Sequence, residues 1–263
     1  MSFIGETAKK IIPAKQWNCL RDIKKWKFSK FARRSGRKIG WPEFFWSGAK
    51  TFIKDNIVVC GRLDYSKKDI KMSVENCAQL TRLNACGKEP ETVRWIEENM
   101  KPGEIFYDIG AHVGAYSFVA WAAAGGNCRI FAFEPDPVAF LALNRNIVLN
   151  NCGENFKAFP IGLSNRQKYS PLLGFSLDDF VEKFSLPLPN HVKIDVDGPE
   201  REVAEGARKV LSNPDLRTIL IEIDENNSQN RQIPAIMESL GFRLDSKHQR
   251  GRETLANCIF KKK

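Results

Sequence analysis

The stretch E-I-F-Y-D-I-G-A-H-V-G-A-Y-S-F-V-A-W-A-A-A-G-G-N-C-R-I-F-A-F-E-P, from Glu104 to Pro135, decides the fold of this chain. A short apolar run ends in Asp108, a glycine turn and an apolar helical pattern follow, and a second apolar run ends in Glu134. This pattern predicts a strand, a glycine turn, a helix and a second strand, with an acid at the tip of each strand. Because ligands bind at the carboxyl ends of the strands in an open α/β sheet, the two acids mark a candidate site.

The spacing of the glycines indicates which ligand this site takes. A dinucleotide-binding turn has the pattern G-x-G-x-x-G and places a pyrophosphate at a helix N-terminus, whereas the turn from Asp108 to Gly114 has the pattern D-x-G-x-x-x-G. A carboxylate at the first position attracts a cation and repels a pyrophosphate. Glu134 can accept hydrogen bonds from both hydroxyls of a ribose. A cationic amino-acid end joined to a ribose describes S-adenosylmethionine (SAM); the alternative is an ordinary βαβ unit whose acids face solvent.

Length and composition limit the class of protein. A chain of 263 residues is long enough for one α/β domain plus an appendage. No window of 18 apolar residues predicts a membrane-spanning helix, and residues 1–10 lack the apolar region of a secretory signal. The seven cysteines form no C-x-x-C pair, which argues against a zinc site or a disulfide framework. We therefore expect a cytoplasmic enzyme with reduced thiols.

The net charge of +10 is concentrated at the N-terminus. Residues 1–55 contain 14 of the 41 Lys and Arg but only 4 of the 31 Asp and Glu, so the rest of the chain balances at 27 of each sign. Tryptophans lie among these basic residues: Trp17, Trp26, Trp41 and Trp46. Such a basic aromatic arm suits the anionic inner face of a membrane or, less well, a nucleic-acid backbone. The alternative is a solvated basic helix that packs its aromatics on the core.

The order of predicted elements divides the chain into three parts. After the arm, residues 1–55, a lead-in segment over residues 56–100 contains two short strands, 57–60 and 70–74, and a helix over 89–100. From residue 101 to 263 strands alternate with helices in five βα steps and end in a hairpin. This order predicts an α/β domain with a doubly wound, mostly parallel sheet.

Seven motifs stand out between residues 88 and 224: K-E-P-E-T-V-R-W-I (88–96), F-Y-D-I-G-A-H-V-G-A-Y-S (106–117), F-A-F-E-P (131–135), L-N-R-N-I-V-L-N (143–150), L-D-D-F-V (177–181), V-K-I-D-V-D-G-P-E (192–200) and I-L-I-E-I-D (219–224). As a set they resemble the FkbM family of SAM-dependent methyltransferases, over residues 88–263. The resemblance implies a Rossmann-like class I methyltransferase sheet of seven strands, with an antiparallel last strand. It also implies O-methylation of a hydroxyl on a sugar, a glycan or a secondary metabolite.

The resemblance assigns the cofactor residues, with two departures from the family pattern. His112 stands where asparagine is more usual, and only twelve residues separate Ser164 from Leu177, where family members carry a longer strand-bearing insert. The shape of the acceptor pocket therefore stays open. The predicted SAM-binding residues are Asp108, Gly110, Ala111, His112, Gly114, Ser117, Glu134, Pro135 and Ser164.

Transfer of a methyl group to a hydroxyl requires alignment of the reactants and a base that accepts the hydroxyl proton. The candidate bases, in order of preference, are Asp195, Glu222 and His112. Asp197 and Glu200 can bind acceptor hydroxyls or hold a divalent cation with Asp195, but the favoured interpretation is that they cap the next helix.

Three further residues have less specific expected roles. Lys193 is expected to pair with an acid from within a strand. His191 and His248 are expected at the surface.

Two rival functions remain open. The first is a nucleic-acid methyltransferase that grips its substrate with the basic arm, although the sequence has neither an N-P-P-Y-type motif nor a catalytic cysteine motif on the fourth strand. The second is a SAM-binding protein without activity, and the presence of Asp108, Glu134 and Asp195 argues against it.

Overall fold

The computed structural model describes residues 59–165, 168–169, 173–250 and 254–263. The basic arm over residues 1–55, with the membrane and nucleic-acid contacts predicted for it, lies outside the described residues. Described residues from Val59 to Lys263 belong to one compact unit. No described helix has the length and apolar character needed to cross a membrane.

The described strands, in chain order, are β1 (Cys60–Arg62), β2 (Lys71–Ser73), β3 (Ile105–Ile109), β4 (Arg129–Phe133), β5 (Phe156–Phe159), β6 (Gly162–Leu163), β7 (Lys168–Tyr169), β8 (Leu173–Phe175), β9 (His191–Ile194), β10 (Thr218–Asp224), β11 (Phe242–Gln249) and β12 (Leu255–Lys262). The described α-helices are α1 (Cys77–Leu80), α2 (Ala85–Lys88), α3 (Pro90–Asn99), α4 (Ala115–Ala123), α5 (Pro137–Leu149), α6 (Leu177–Phe184), α7 (Glu200–Glu205), α8 (Arg208–Leu211) and α9 (Ile233–Ser239).

Seven strands form the central sheet in the order β11-β12-β10-β9-β3-β4-β5. Strands β5, β4, β3, β9 and β10 pair in parallel, and β12 pairs antiparallel with both β10 and β11. The doubly wound sheet with an antiparallel last strand is therefore confirmed.

Strand β3 lies at the centre of the sheet and is buried on both faces. Phe106 packs into one apolar cluster, with α3 and α4, while Tyr107 and Ile109 pack into a second cluster on the opposite face. The Tyr107 ring lies 5.3 Å and 5.6 Å from the rings of Phe131 and Phe133 on β4. Burial on both faces explains why these strands appear in the sequence as nearly continuous apolar runs.

The register of the parallel strands brings their tips to one edge. On one side of β3, Ile109 pairs with Phe133 of β4, and on the other side it pairs with Ile194 of β9. The residues that follow these strands therefore lie side by side at the carboxyl edge. Strand β3 is also the point where the chain order of the sheet reverses, and in open α/β sheets this is where ligands bind.

The lead-in segment differs in detail from its prediction. Strand β1 pairs antiparallel with β2, and residues 57 and 58 of the predicted strand 57–60 lie outside the described residues. A side chain at Gly61 would overlap Leu83, so glycine at this position lets the segment that carries Leu83 pack closely against β1. The Asn146 side chain on α5 accepts a hydrogen bond from Ser73 N–H (2.6 Å), which ties β2 to the main domain.

One further prediction, for His191, differs from the structure. The prediction that His191 lies at the surface is wrong: it is buried at the start of β9, with its ring nitrogens 2.7 Å from Thr218 Oγ1 and 3.0 Å from Glu104 Oε2. The short segment between Ser164 and Leu177 carries β7 and β8, which form a small separate sheet with β6.

The described cysteines form no disulfide.

Candidate active site

The glycine turn after β3 adopts a backbone conformation that requires glycine. Gly110 and Gly114 have φ values of +81° and +88°, a region that side chains disfavour. A Cβ atom on Gly110 would lie 1.7 Å from the carbonyl oxygen of Asp195, so only glycine lets the turn pass beside the tip of β9. The N–H groups of Gly110 and Ala111 both donate to Phe133 O, which fixes the turn to β4.

Asp108 is a buried carboxylate with one oxygen free. Its Oδ2 accepts a hydrogen bond from Ser117 Oγ (2.5 Å), while Oδ1 has no hydrogen-bond partner among the described residues and lies 3.9 Å from Lys193 Nζ. Burial raises the pKa of Asp108, and the Lys193 charge and the Ser117 hydrogen bond oppose that rise. A buried carboxylate oxygen without a partner suits a cationic group, so this position fits the amino-acid end of SAM.

Glu134, at the tip of β4, is fixed by two backbone groups. Its carboxylate accepts hydrogen bonds from His112 N–H and from Asp136 N–H, each at 2.7 Å. Burial raises its pKa, and these two hydrogen bonds counteract the rise. Each oxygen keeps a lone pair, so the carboxylate can still accept hydrogen bonds from ribose hydroxyls.

Asp195 follows β9 and forms an ion pair with a buried lysine. Lys193 is 1% exposed, and its Nζ donates to Asp195 Oδ2 at 2.8 Å. Burial alone would raise the pKa of Asp195, but the Lys193 ammonium, helped by Arg250 and Arg82, holds that pKa below its ordinary value. Asp195 is therefore an ionised hydrogen-bond acceptor with a low affinity for protons.

Glu222 on β10 also has a cationic partner. The Arg250 guanidinium forms one ion pair with Glu222 and another with Glu89 (3.0 Å), just before α3. This contact joins the terminal hairpin to the lead-in segment across the strand tips.

A carboxylate cluster lies at the tips of β9 and β10. Oxygen atoms of Asp195, Asp197 and Glu222 lie within 4.8 Å of one another. Glu200, predicted as a possible cation ligand with the first two, instead accepts hydrogen bonds from Gly198 N–H (2.8 Å) and the Asn230 amide (2.6 Å). The cluster borders a cavity of about 230 Å³ lined by Asp197, Gly198, Glu200, Glu222, Asp224 and Leu255.

His112 lies in the glycine turn, with a φ of +50°. Burial lowers its pKa, and the nearby Arg82 charge lowers it further. Its Nδ1 is buried and has no hydrogen-bond partner among the described residues. The imidazole is therefore neutral at pH 7 and able to accept a proton.

The remaining predicted cofactor residues have different surroundings. Ser117 on α4 is bonded to Asp108, and Pro135 follows Glu134 at the same edge. Ser164 Oγ donates to Glu202 Oε2 (2.8 Å) on α7, so its hydroxyl proton is already used.

The sequence analysis did not identify Arg82 and Arg250, two cations near the acids at the tips of β9 and β10. Lys193 was expected to pair with an acid, and a lysine inside an apolar strand motif indicates a buried charge. Arg250 carries no such indication, because its acidic partners Glu89 and Glu222 lie far away in the chain.

Comparisons with known proteins also find similarity to methyltransferases. Residues 165–244 match the methyltransferase FkbM domain. The chain is 25% identical over 172 residues to the hexuronic acid methyltransferase AglP of Haloferax volcanii, which covers 58% of this chain and 70% of AglP. It is 34% identical over 77 residues to the methyltransferase sdnD of Sordaria araneosa, and this match spans 29% of either chain.

Solved structures with the same fold include two methyltransferases. One is the methyltransferase FkbM from Methylobacillus flagellatus KT (TM-score 0.51, 13% identity, covering 67% of this chain and 60% of that chain). The other is the putative methyltransferase yhhF from Escherichia coli (TM-score 0.52, 14% identity, 78% and 99%). Part of the chain therefore matches the methyltransferase FkbM domain, as its motifs predicted, and its fold is shared with methyltransferases of known structure.

Proposed function

We propose that this protein is a SAM-dependent O-methyltransferase that acts on a hydroxyl of a sugar or glycan. The observation that carries the proposal is the placement of Glu134, Asp108 and Asp195 at or beside the tips of three neighbouring parallel strands, β4, β3 and β9. This edge offers carboxylates for a ribose, for a cationic amino-acid end and for an acceptor hydroxyl, in that order across the sheet.

The cofactor assignment depends on the two buried acids. Asp108 would hold the ammonium of SAM with its free oxygen, and Glu134 would hold the ribose hydroxyls. Bound SAM supplies an activated methyl group, so the residues of this chain mainly need to align the acceptor oxygen with it.

The structure supports roles for the three candidate bases that differ from those expected from the sequence. Asp195, the first candidate, is paired with Lys193 and is therefore suited to accept a hydrogen bond from the acceptor hydroxyl and orient it. Glu222, the second candidate, is paired with Arg250. We assign the role of base, which accepts the proton of the acceptor hydroxyl, to His112, the third candidate. Its imidazole is neutral, and its Nδ1 has no hydrogen-bond partner in the described part of the chain.

A sugar acceptor fits the surface beside Asp195. The cavity at the tips of β9 and β10 is lined mainly by carboxylates, which accept hydrogen bonds from vicinal hydroxyls. The relationship to a hexuronic acid methyltransferase favours the same class of acceptor.

Two experiments test the proposal. Isothermal titration with SAM and S-adenosylhomocysteine should show binding of both. Incubation with radiolabelled SAM and separate pools of uronic-acid saccharides, neutral saccharides and RNA should label a saccharide, and product mass should show one added methyl group. A protein that binds neither nucleoside, or that labels only RNA, would contradict the proposed function.

A further inference from the structure

Arg82 is a cation near the candidate site, and no described residue forms an ion pair with it. It lies on a single 3-10 turn, Thr81–Asn84, and its side chain is half-buried. In the part of the chain that the structure describes, its guanidinium takes part in no hydrogen bond and no ion pair. An arginine beside a ligand site with unused donors suits an anionic ligand group.

The turn that carries Arg82 is firmly held. Asp64 N–H donates to Leu83 O (2.8 Å), and the Asp64 carboxylate accepts hydrogen bonds from Cys86 N–H (2.9 Å) and Gly87 N–H (2.7 Å). Tyr116 Oη, on α4, donates to Ala85 O at 3.1 Å. The turn is therefore fixed both to the lead-in segment and to the helix that follows the glycine turn.

The contact with Tyr116 brings the segment that carries Arg82 close to the reacting groups. The ring of Tyr116 lies 5.2 Å from Lys193 Nζ, which is bonded to Asp195. The Arg82 charge acts on two strand-tip groups, since it helps to lower the pKa of His112 and that of Asp195.

Arg82 differs from the other two cations at this edge. Lys193 is neutralised by Asp195, and Arg250 is neutralised by Glu222 and Glu89. Within the described part of the chain, the donors of Arg82 thus remain available to a ligand. SAM carries a carboxylate next to the ammonium assigned to Asp108, and a uronic-acid acceptor also carries a carboxylate.

On the basis of the proposed function, we propose that Arg82 binds a carboxylate in this site, either that of the methionine end of SAM or that of an acidic-sugar acceptor. A planar guanidinium with paired donors matches the two oxygens of a carboxylate, and a lysine does not reproduce this bidentate geometry.

The test uses the full chain and three variants: Arg82→Met, Arg82→Lys and the control Arg208→Met, which removes an exposed arginine from α8. Isothermal titration is carried out with S-adenosylhomocysteine and with 5′-methylthioadenosine, which is a similar nucleoside without the amino-acid end. Circular dichroism confirms that each variant is folded.

If Arg82 holds the cofactor carboxylate, Arg82→Met weakens S-adenosylhomocysteine binding on the order of 10-fold or more and leaves methylthioadenosine binding unchanged. If it holds the acceptor carboxylate, cofactor binding is unchanged and KM rises by a similar factor for uronic-acid acceptors but not for neutral ones. Arg82→Lys should recover only part of either loss, and Arg208→Met should behave as the wild type.

Two outcomes overturn the proposal in different ways. A wild type that binds S-adenosylhomocysteine, with an Arg82→Met variant unchanged in both cofactor binding and acceptor KM, overturns the role of Arg82 alone. A wild type that does not bind S-adenosylhomocysteine overturns the proposed function, and the role of Arg82 with it.

Discussion

The two sides of the strand-tip edge are built in different ways. On the cofactor side, formed by β3 and β4, the carboxylates are held by groups close in the chain: Asp108 by Ser117, and Glu134 by the N–H groups of His112 and Asp136. On the acceptor side, formed by β9 and β10, Asp195 is held by the nearby Lys193, but Arg250 joins Glu222 to Glu89, which lies far away in the chain in the lead-in segment. A site held by local contacts leaves a motif in the sequence, whereas a site held by distant ion pairs does not.

The largest effect is expected where the two sides touch. Gly110→Ala should destabilise the protein by more than about 4 kcal/mol, because the new Cβ would overlap Asp195 O and the backbone would be strained. Gly103→Ala is the matched control: its φ is also positive (+87°), but no atom lies within 4 Å, so about 1–2 kcal/mol is expected. Urea denaturation measures both, and equal losses would show that the contact between the two sides is unimportant.

The next effect concerns the cation shared by the two sides. Lys193→Met should destabilise the fold by about 3–5 kcal/mol at pH 7, because Asp195 loses its partner and Asp108 its nearest cation. Lys209→Met, which removes an exposed pair with Glu182, should change stability by less than about 1 kcal/mol. Similar denaturation midpoints for the two variants would contradict a central role for Lys193.

A third prediction distinguishes the candidate bases by the pH dependence of kcat/KM. If His112 accepts the proton, wild-type kcat/KM should fall as the pH drops through a value below 6.5, because the imidazole must be neutral and burial lowers its pKa. His112→Gln should reduce turnover about 100-fold and abolish this acid limb. If Asp195 is the base, its lowered pKa lies below 3.8 and the rate should stay level above pH 5. A level profile would return the role to Asp195.

The smallest effect tests the cofactor side by itself. Glu134→Ala should weaken S-adenosylhomocysteine binding by at least about 1.5–3 kcal/mol, the worth of one hydrogen bond to a charged group. Glu154→Ala, at an exposed position, serves as the control. Unchanged affinity in Glu134→Ala would remove this residue from the site.

The same contrast explains how far the sequence could predict the structure. The alternation of central strands and helices after residue 101 was predicted, because burial on both faces leaves apolar runs bounded by glycine and proline. The short helices α1 and α2 were missed, since four-residue helices have no apolar period. The burial of His191 depends on Glu104, which lies 87 residues away, and no local pattern records that contact.

Strand β11 has a consequence for how the molecule behaves at high concentration. Among the described strands it lies at one end of the central sheet, and edge strands can recruit strands from other molecules and start aggregation. Charged side chains, Arg243, Asp245 and Lys247, are exposed along it, and its pairing with β12 is irregular between Leu244 and Ser246. Charges and irregular pairing both discourage the addition of a foreign strand. The edge is thus protected against sheet extension by its own sequence.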